Sequence, residues 1–368
     1  MYNYLSLALN LVFVACGLVF FLKKKVSSSQ YWLFMVVPII GFGLLYGLRT
    51  GWLGDFALYE YTYDHFDAKS ITERFSFIFS NLMILGKTMG VSFNVLTTFL
   101  NIIVIFGFLY YAKPFARGFA FILPLFFVYS FMTAQFIAFF PAISVFLISV
   151  SLFQQKRYKA AFVALVVSIG FHKGIVLAVP IYFLAHYVNF KLSYAIIAYL
   201  ISFFFNNQLW IDFLNEMSTL ISFETGDYYG RYITDIENFY TGDHAIEDKG
   251  LSLFYTIRMV IINCSALMLF YKFAECMPQI KQYRIFELSV IGLILTNMTM
   301  GVQLVNRYAI IFTLFTPILY ACAFLFCIKK KNKKYLSLSV LFMGLLFYTH
   351  ISMFLLRNVS NMHFIWEY

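Results

Sequence analysis

The chain has 368 residues, a length that would ordinarily give a soluble protein roughly two or three domains, but its composition excludes a soluble fold. Apolar residues make up 62% of the sequence and charged residues 12%, about half the ~25% of soluble domains, and the mean hydropathy is +0.79. The composition also excludes disorder, collagen and small disulfide scaffolds. The net charge of +10 does not indicate a nucleic-acid partner, because the basic residues stand at the ends of apolar runs, as cytoplasmic anchors do.

Repeated apolar runs near the ~20 residues that cross a bilayer predict an all-α, polytopic transmembrane bundle of about twelve spans. We treat residues 1–368 as a single membrane domain. The predicted spans lie near residues 3–22, 31–48, 92–111, 118–133, 136–153, 160–171, 174–188, 193–206, 251–271, 285–303, 308–328 and 335–355. The sixth and seventh are short, and we predict two helices that meet at Phe171-His172-Lys173-Gly174 instead of one long helix.

The basic residues predict which way the spans point. Lys23, Lys24 and Lys25 follow the first span, and the positive-inside rule places them in the cytoplasm, with the N-terminus outside. Alternation then puts 17 of the 27 basic residues in cytoplasmic loops, and every acid except Glu275 and Glu287 on the other side. We therefore expect a multi-pass protein with both termini on the outer side.

Two outer segments result from this orientation. The first covers 49–91 and contains a fairly apolar run at 71–90, which we predict to be an interfacial or re-entrant helix, because a crossing there would reverse the side of every later loop. The second, 206–250, is a large loop rich in acids and aromatic residues. Such a mixture suits the faces and hydroxyls of sugars, and it also suits a cap packed over the ends of the helices.

The five cysteines lie within spans or near the inner side, so no structural disulfide is expected. The sequence contains no CxxC, HExxH or phosphate-binding Gly-x4-Gly-Lys-Ser/Thr motif. We therefore expect no metal and no cofactor.

Ionisable residues within or beside apolar runs are the candidate functional residues, because inserting such a group costs about 3 kcal/mol or more. They are Arg49, His172, Lys173, Arg231, Arg258 and Arg307. Simpler explanations are a snorkelling anchor for Arg49 and Arg258 and a local salt bridge for Arg231. Several cations contributed by separate helices, without a metal motif, indicate an anionic substrate, and in a membrane this means a lipid phosphate or diphosphate.

Three sequence motifs indicate a more specific function. They are Leu48-Arg49-x-Gly51 followed by Gly54-Asp55 and Tyr59, Phe171-His172-Lys173-Gly174 leading into Pro180-Ile181-Tyr182, and Arg307-Tyr308 opening a late span. With them, over most of its length, the chain resembles the EpsG-like proteins, a branch of the Wzy-type bacterial polysaccharide polymerases. Gln135-Phe136-Ile137-Ala138 is similar to the family's Arg-Gln-x-x-Ala stretch, but Ala134 stands at the position of the family's Arg.

The resemblance implies a glycosyltransferase of the bacterial plasma (inner) membrane. It would join undecaprenyl-diphosphate-linked oligosaccharide repeat units into O-antigen, capsule or exopolysaccharide at the outer face. The growing chain would leave its lipid diphosphate and join the non-reducing end of the next unit, without a metal. The implied partners are the lipid-linked oligosaccharides, membrane lipid and a chain-length regulator protein.

On this reading Arg49, Lys173, Arg258 and Arg307 contact the diphosphate and stabilise its developing charge. His172 is the predicted base for the acceptor hydroxyl, because an unperturbed histidine side chain titrates near neutral pH. Asp55 is the rival base, or it orients Arg49. The predicted sugar contacts are Gln135, Tyr228, Tyr229 and Arg231.

Three alternatives stay open. A glycosyltransferase that uses a polyprenyl-phosphate sugar would use acids of the first outer segment as base or metal ligands; these are Asp55, Glu60, Asp64 and Asp67. A lipid-linked oligosaccharide flippase fits the spans and the cations, but the sequence shows no internal repeat of the kind common in transporters. An acyltransferase using His172 fits least, because the inner loops offer no site for an acyl-CoA donor.

Overall fold

A computed structural model describes residues 2–23, 26–50, 56–65, 67–129, 136–204, 253–299, 303–330, 333–335, 337–341, 344–345 and 363–364. The described part of the chain is almost entirely helical. Its helices in chain order are α1 (Tyr2–Leu22), α2 (Ser28–Gly47), α3 (Phe56–Asp64), α4 (Ala68–Arg74), α5 (Phe77–Thr88), α6 (Phe93–Ala112), α7 (Phe119–Tyr129), α8 (Phe139–Gln154), α9 (Tyr158–Phe171), α10 (Ile175–Tyr187), α11 (Leu192–Ile201), α12 (Leu253–Cys276), α13 (Pro278–Lys281), α14 (Ile285–Met298), α15 (Gln303–Thr313) and α16 (Thr316–Lys329). The 3-10 helices are Lys113–Gly118 and Ser202–Phe204, and the strands are β1 (Arg49–Thr50) and β2 (His363–Phe364).

The apolar helices confirm a helical membrane protein. By length and composition, four described stretches can each cross a bilayer: Ser28–Gly47, Phe93–Phe126, Thr256–Cys276 and Asn306–Lys329. Shorter apolar helices coincide with further predicted spans: Ala8–Leu22, Phe139–Gln154, Tyr158–Phe171, Ile175–Tyr187, Leu192–Phe204 and Ile285–Met298. The number of crossings, about twelve by the spacing of apolar runs, stays a prediction.

The longest apolar stretch bends at Phe115, whose φ of −101° and ψ of 18° are not helical. The 20 residues of α6 rise ~30 Å, the thickness of a bilayer core. The bend supports the prediction of separate spans at 92–111 and 118–133. At the same end, Lys113 Nζ donates to Ser28 Oγ at 2.7 Å and Arg117 Nη2 to the Lys23 carbonyl at 3.5 Å. Two basic loops predicted to be cytoplasmic therefore meet.

The chain divides into two compact units. The first unit is Met1–Val179 with Tyr320–Tyr368, and the second is Pro180–Leu319. In the first unit, α2 packs on α6, α6 on α8 and α8 on α9, while α1 packs on α2 and α7. In the second unit, α14 packs on α15 and α11 packs on α12 and α14.

Glycines set the closest helix contacts of the first unit. Gly43 and Gly47 are four residues apart on α2 and face Ile102 and Thr98 of α6, so a Cβ at either position would overlap its neighbour. Small residues at this spacing let membrane helices approach closely. The contact is completed by a hydrogen bond of 3.1 Å from Thr97 Oγ1 to the Gly47 carbonyl.

The first outer segment forms three short helices, α3 to α5. The 12 residues of α5 rise ~18 Å, well short of a ~30 Å bilayer core. Its placement at the outer interface stays a prediction. At the start of this segment, β1 pairs with β2 in an antiparallel ladder that sets Arg49 opposite Phe364 and Thr50 opposite His363. The ladder brings residues 363–364 to the carboxyl end of α2.

The packing of α2 on α6 yields a stability prediction. Gly47→Val should destabilise the protein by about 1–3 kcal/mol, the usual cost of overpacking, because the added carbons meet the Thr98 backbone and side chain. The measurement is the midpoint of thermal unfolding of the purified protein in detergent. Val36→Leu is the matched control, since it adds a methylene to a side chain of α2 that is 46% exposed. An unchanged midpoint for Gly47→Val would contradict this account of the helix contact.

Candidate functional site

Arg49 lies at the carboxyl end of α2, directly after the capping residue Leu48. Its Nε donates to the Tyr46 carbonyl at 2.9 Å, while Thr97 donates to the neighbouring Gly47 carbonyl at 3.1 Å. The last carbonyls of a helix lack partners within the helix, and the partial negative charge there favours a cation. The end of α2 therefore both holds Arg49 and is stabilised by it.

The Arg49 side chain is buried, with 2% of its surface exposed. Its guanidinium carbon lies 4.5 Å from the centroid of the Phe56 ring, and Phe56 is the first residue of α3. The electron-rich ring face attracts the cation, more strongly where water is excluded. A snorkelling anchor keeps its head group in water, so the burial of Arg49 favours a functional or structural role over that explanation.

Aromatic contacts fix α3 next to Arg49. The Tyr59 ring stacks on Phe75 at 5.2 Å and meets Phe79 edge-on at 5.5 Å. The Tyr63 hydroxyl donates to the Val91 carbonyl at 2.7 Å, and the Phe93 ring lies 5.4 Å from both Phe56 and Tyr63. Because α3 has contacts along its whole length, the Phe56 ring is a fixed wall for the guanidinium.

Glu60 lies one helical turn after Phe56, and residues four apart share a face of a helix. The side chain is half-buried, and among the described residues it forms no hydrogen bond or ion pair. Burial raises the pKa of the Glu60 carboxyl above its ordinary value, the like charge of Asp64 raises it further, and the Arg49 cation lowers it. Sequence reasoning considered Glu60 only as a metal ligand or base in an alternative reading and missed its place one helical turn after the residue that contacts Arg49.

His172 ends α9 in an extended conformation, with φ −155° and ψ 115°. The backbone N–H of Gly174 donates to His172 Nδ1 at 3.1 Å, and the edge of the ring meets Phe139 at 4.9 Å between centroids. These contacts set the orientation of the imidazole. The turn at 172–174 also confirms the predicted break between two short helices, α9 and α10.

Contacts of the first outer segment connect the turn at residues 172–174 with the surroundings of Arg49. The Lys173 backbone N–H donates to Ser76 Oγ at 3.2 Å, and Ser76 follows Phe75, on which Tyr59 of α3 stacks. A second contact sets Gly170 of α9 against Ile78 of α5. The structure therefore places Arg49, His172 and Lys173 on one scaffold within the first unit, with the Lys173 side chain exposed.

The other two predicted cations belong to the second unit. Arg258 of α12 and Arg307 of α15 are both half-buried, and the Arg258 guanidinium carbon lies 5.9 Å from the centroid of the Phe254 ring. Next to Arg307, Asn306 accepts a hydrogen bond of 3.4 Å from Thr299 Oγ1. Arg258 and Arg307 thus stand at half-buried positions inside the helical unit, not on exposed loops.

A series of hydrogen bonds between polar side chains connects helices of the second unit, and sequence reasoning missed it. Asn263 donates to the Tyr199 hydroxyl at 2.7 Å, Ser202 donates to the Tyr199 carbonyl at 2.6 Å, and Asn297 donates to Ser202 Oγ at 2.9 Å. Polar side chains within apolar spans are the signal that could have revealed it. These hydrogen bonds connect α11, α12 and α14.

The remaining predicted site residues are Asp55, Gln135, Tyr228, Tyr229 and Arg231, and they lie outside the described residues. Their roles stay predictions. Among the described residues, no three His, Cys, Asp or Glu side chains form a group that could hold a metal ion.

Comparison with known protein families decides the assignment. The model of the EpsG family matches residues 31–368, nearly the whole chain. The chain belongs to the EpsG family. This is a family of Wzy-like polysaccharide polymerases, so the protein is a polysaccharide polymerase-like membrane protein. No curated protein and no solved structure matches the chain.

The hydrogen bond from Gly174 to His172 yields a prediction about polymer formation. Gly174→Pro removes the N–H donor, while Gly174→Ala keeps it and serves as the matched control. One hydrogen bond contributes about 0.5–1.5 kcal/mol, so we expect the proline variant to form polymer roughly two- to tenfold more slowly, with the alanine variant near the wild-type rate. Polymer length and yield in cells that carry each variant, at equal protein level in the membrane, provide the measurement. Equal polymer from both variants would show that the ring orientation has no role.

Proposed function

We propose that this protein joins undecaprenyl-diphosphate-linked oligosaccharide repeat units into O-antigen, capsule or exopolysaccharide at the outer face of a bacterial plasma membrane. The observation that carries the proposal is the buried Arg49 guanidinium, held in an EpsG-family chain on the same scaffold as the His172–Lys173 turn. An ionisable group within or beside a membrane span is a candidate functional residue, and a guanidinium presents donors that match phosphate oxygens.

The leaving group in this reaction is a lipid diphosphate, and its negative charge grows as the glycosidic bond breaks. Preorganised cations stabilise such charge without having to reorganise during the reaction. We assign this role to Arg49, Lys173, Arg258 and Arg307. A guanidinium presents donors in a fixed fork that matches two phosphate oxygens, which an ammonium cannot do.

The hydrogen bond to Gly174 bears on the role of His172. Because Nδ1 accepts the Gly174 N–H, the neutral ring carries its proton on Nε2. This arrangement favours His172 as a hydrogen-bond donor to the substrate, and the base role predicted for it would require that bond to break. Asp55 as an orienting group, and Gln135, Tyr228, Tyr229 and Arg231 as sugar contacts, are parts of the same proposal, as is a chain-length regulator partner.

Contacts within the first unit support the proposed orientation. The Ser28 end of α2 lies beside Lys113, and the Lys23 carbonyl lies beside Arg117, so this end carries the basic residues typical of the cytoplasmic side. Arg49 is at the opposite end of α2, together with β2 near the C-terminus. On this orientation Arg49 and residues 363–364 face outward.

Reconstitution tests the proposed function directly. Purified protein in liposomes, supplied with chemically defined undecaprenyl-diphosphate repeat units, should produce a ladder of polymer on a gel, and the ladder should persist with a chelator present. Arg49→Lys keeps the charge but loses the fork, and Arg307→Ala removes a cation. Each should slow polymer formation about 100-fold or more, as the loss of one electrostatic contact to a transition state does.

Protein stability supplies the control for this experiment. Both variants are compared at equal protein level in the membrane, and the unfolding temperature of each is measured, so that activity lost with the fold is told apart from activity lost at the site. Wild-type rates from both variants would remove the diphosphate assignment. Absence of a ladder with the native repeat unit, together with movement of that unit across the bilayer, would contradict the polymerase and favour a flippase.

A further inference from the structure

Glu60 differs from Asp64 and Asp67 of the first outer segment in its surroundings. Asp64 forms an ion pair with Lys87 at 3.8 Å, and Asp67 Oδ1 accepts a hydrogen bond from the Lys69 backbone at 3.1 Å. Glu60 is half-buried and has no such partner among the described residues.

The position of Glu60 follows from the contacts of α3. Phe56 and Glu60 occupy consecutive turns on one face of α3, and Phe56 is the wall against which Arg49 lies. Tyr59 and Tyr63 flank Glu60 and are held by Phe75 and by the Val91 carbonyl. Glu60 thus stands on the same short helix whose first residue contacts the guanidinium.

The geometry points to Glu60 as the catalytic base that takes the proton of the acceptor hydroxyl. This inference rests on the proposed polymerase reaction and adds to it the group that completes the proton transfer. General bases work best when held rigidly within hydrogen-bond reach of the proton that they remove, and the contacts of α3 supply that rigidity.

The proton and electron balance of the step is simple. The acceptor oxygen forms a bond to the anomeric carbon of the donor sugar as its proton passes to the Glu60 carboxylate. The bond from that carbon to the diphosphate oxygen breaks, and the electron pair leaves with the lipid diphosphate. Glu60 then returns its proton to water, so the net products are the longer chain, lipid diphosphate and one proton.

The charges around Glu60 couple substrate binding to its basicity. On α3, Asp64 raises the pKa of the Glu60 carboxyl, and from β1, Arg49 lowers it; Lys87 of α5 faces Asp64. A diphosphate bound at Arg49 would offset the positive charge that lowers this pKa. Glu60 should therefore be a stronger base in the substrate complex than in the free enzyme.

The pH dependence of polymer formation by the reconstituted protein provides the test. A base must be deprotonated to act, so the rate should fall as pH falls through the pKa of Glu60. The limb for kcat, which reports the complex, should lie at higher pH than the limb for kcat/KM, which reports the free enzyme. Asp64→Asn removes a charge that raises this pKa, so it should move both limbs to lower pH and keep the wild-type plateau.

Glu60→Gln is the decisive variant, because it keeps the shape of the side chain and removes the base. We expect kcat to fall about 100-fold or more, as general-base losses do, with KM close to wild type and the acid limb absent from the remaining activity. Glu60→Asp should recover part of the rate. The thermal midpoint of each variant controls for folding.

Two results would overturn the inference. One is a wild-type kcat for Glu60→Gln, and the other is an acid limb that stays in place in both Glu60→Gln and Asp64→Asn. A wild-type protein that forms ladders while Glu60→Gln keeps full activity would remove the base assignment and leave the polymerase standing. A wild-type protein that forms no ladder with its native repeat unit would remove the polymerase itself.

Discussion

The burial of the Arg49 guanidinium at the carboxyl end of α2 is the constraint on which the rest of the candidate site depends. A cation there is stabilised by the Tyr46 carbonyl, by the negative end of the helix and by the face of Phe56. Phe56 can supply that face only if α3 is held in place, and the aromatic contacts of Tyr59 and Tyr63 hold it. The contact between the Arg49 cation and Phe56 therefore requires α3 to be held in place. Glu60 lies on the same helix.

Apolar runs made most of the helices predictable, because a membrane helix must satisfy its own backbone and cover it with apolar side chains. The break at residues 172–174 was also predictable, since His172 and Lys173 interrupt an apolar run. By contrast, α3 has mixed polarity and no apolar stripe, so its existence depends on aromatic partners far along the chain. The pairing of residues 363–364 with Arg49 and Thr50 could not be predicted from the sequence either, because a two-residue ladder leaves no periodic signal.

The residues of the candidate site also differ in how far the sequence predicts them. Arg49 was predictable because a charge next to an apolar span is rare and costly, and its motif also marks the family that the chain belongs to. The importance of Glu60 could not be seen from the sequence, where it is one acid among several. Its distinction arises from the fold, which gives Asp64 and Asp67 partners and sets Glu60 one helical turn after Phe56, the residue that contacts the buried Arg49 cation. In the proposed reaction the cation holds the departing phosphate and the carboxylate receives the proton, so the two proposed roles depend on one another.

The proposed reaction has a lipid diphosphate as its leaving group. The most direct measurement compares two donors that carry the same oligosaccharide, one on undecaprenyl diphosphate and one on undecaprenyl monophosphate, at equal concentration and with a chelator present. The account predicts bond formation from the diphosphate donor and a rate at least about 100-fold lower from the monophosphate, because that leaving group lacks one phosphate and offers the fixed cations less negative charge to stabilise. Equal rates from the two donors would contradict the account and favour a transferase that uses polyprenyl-phosphate sugars.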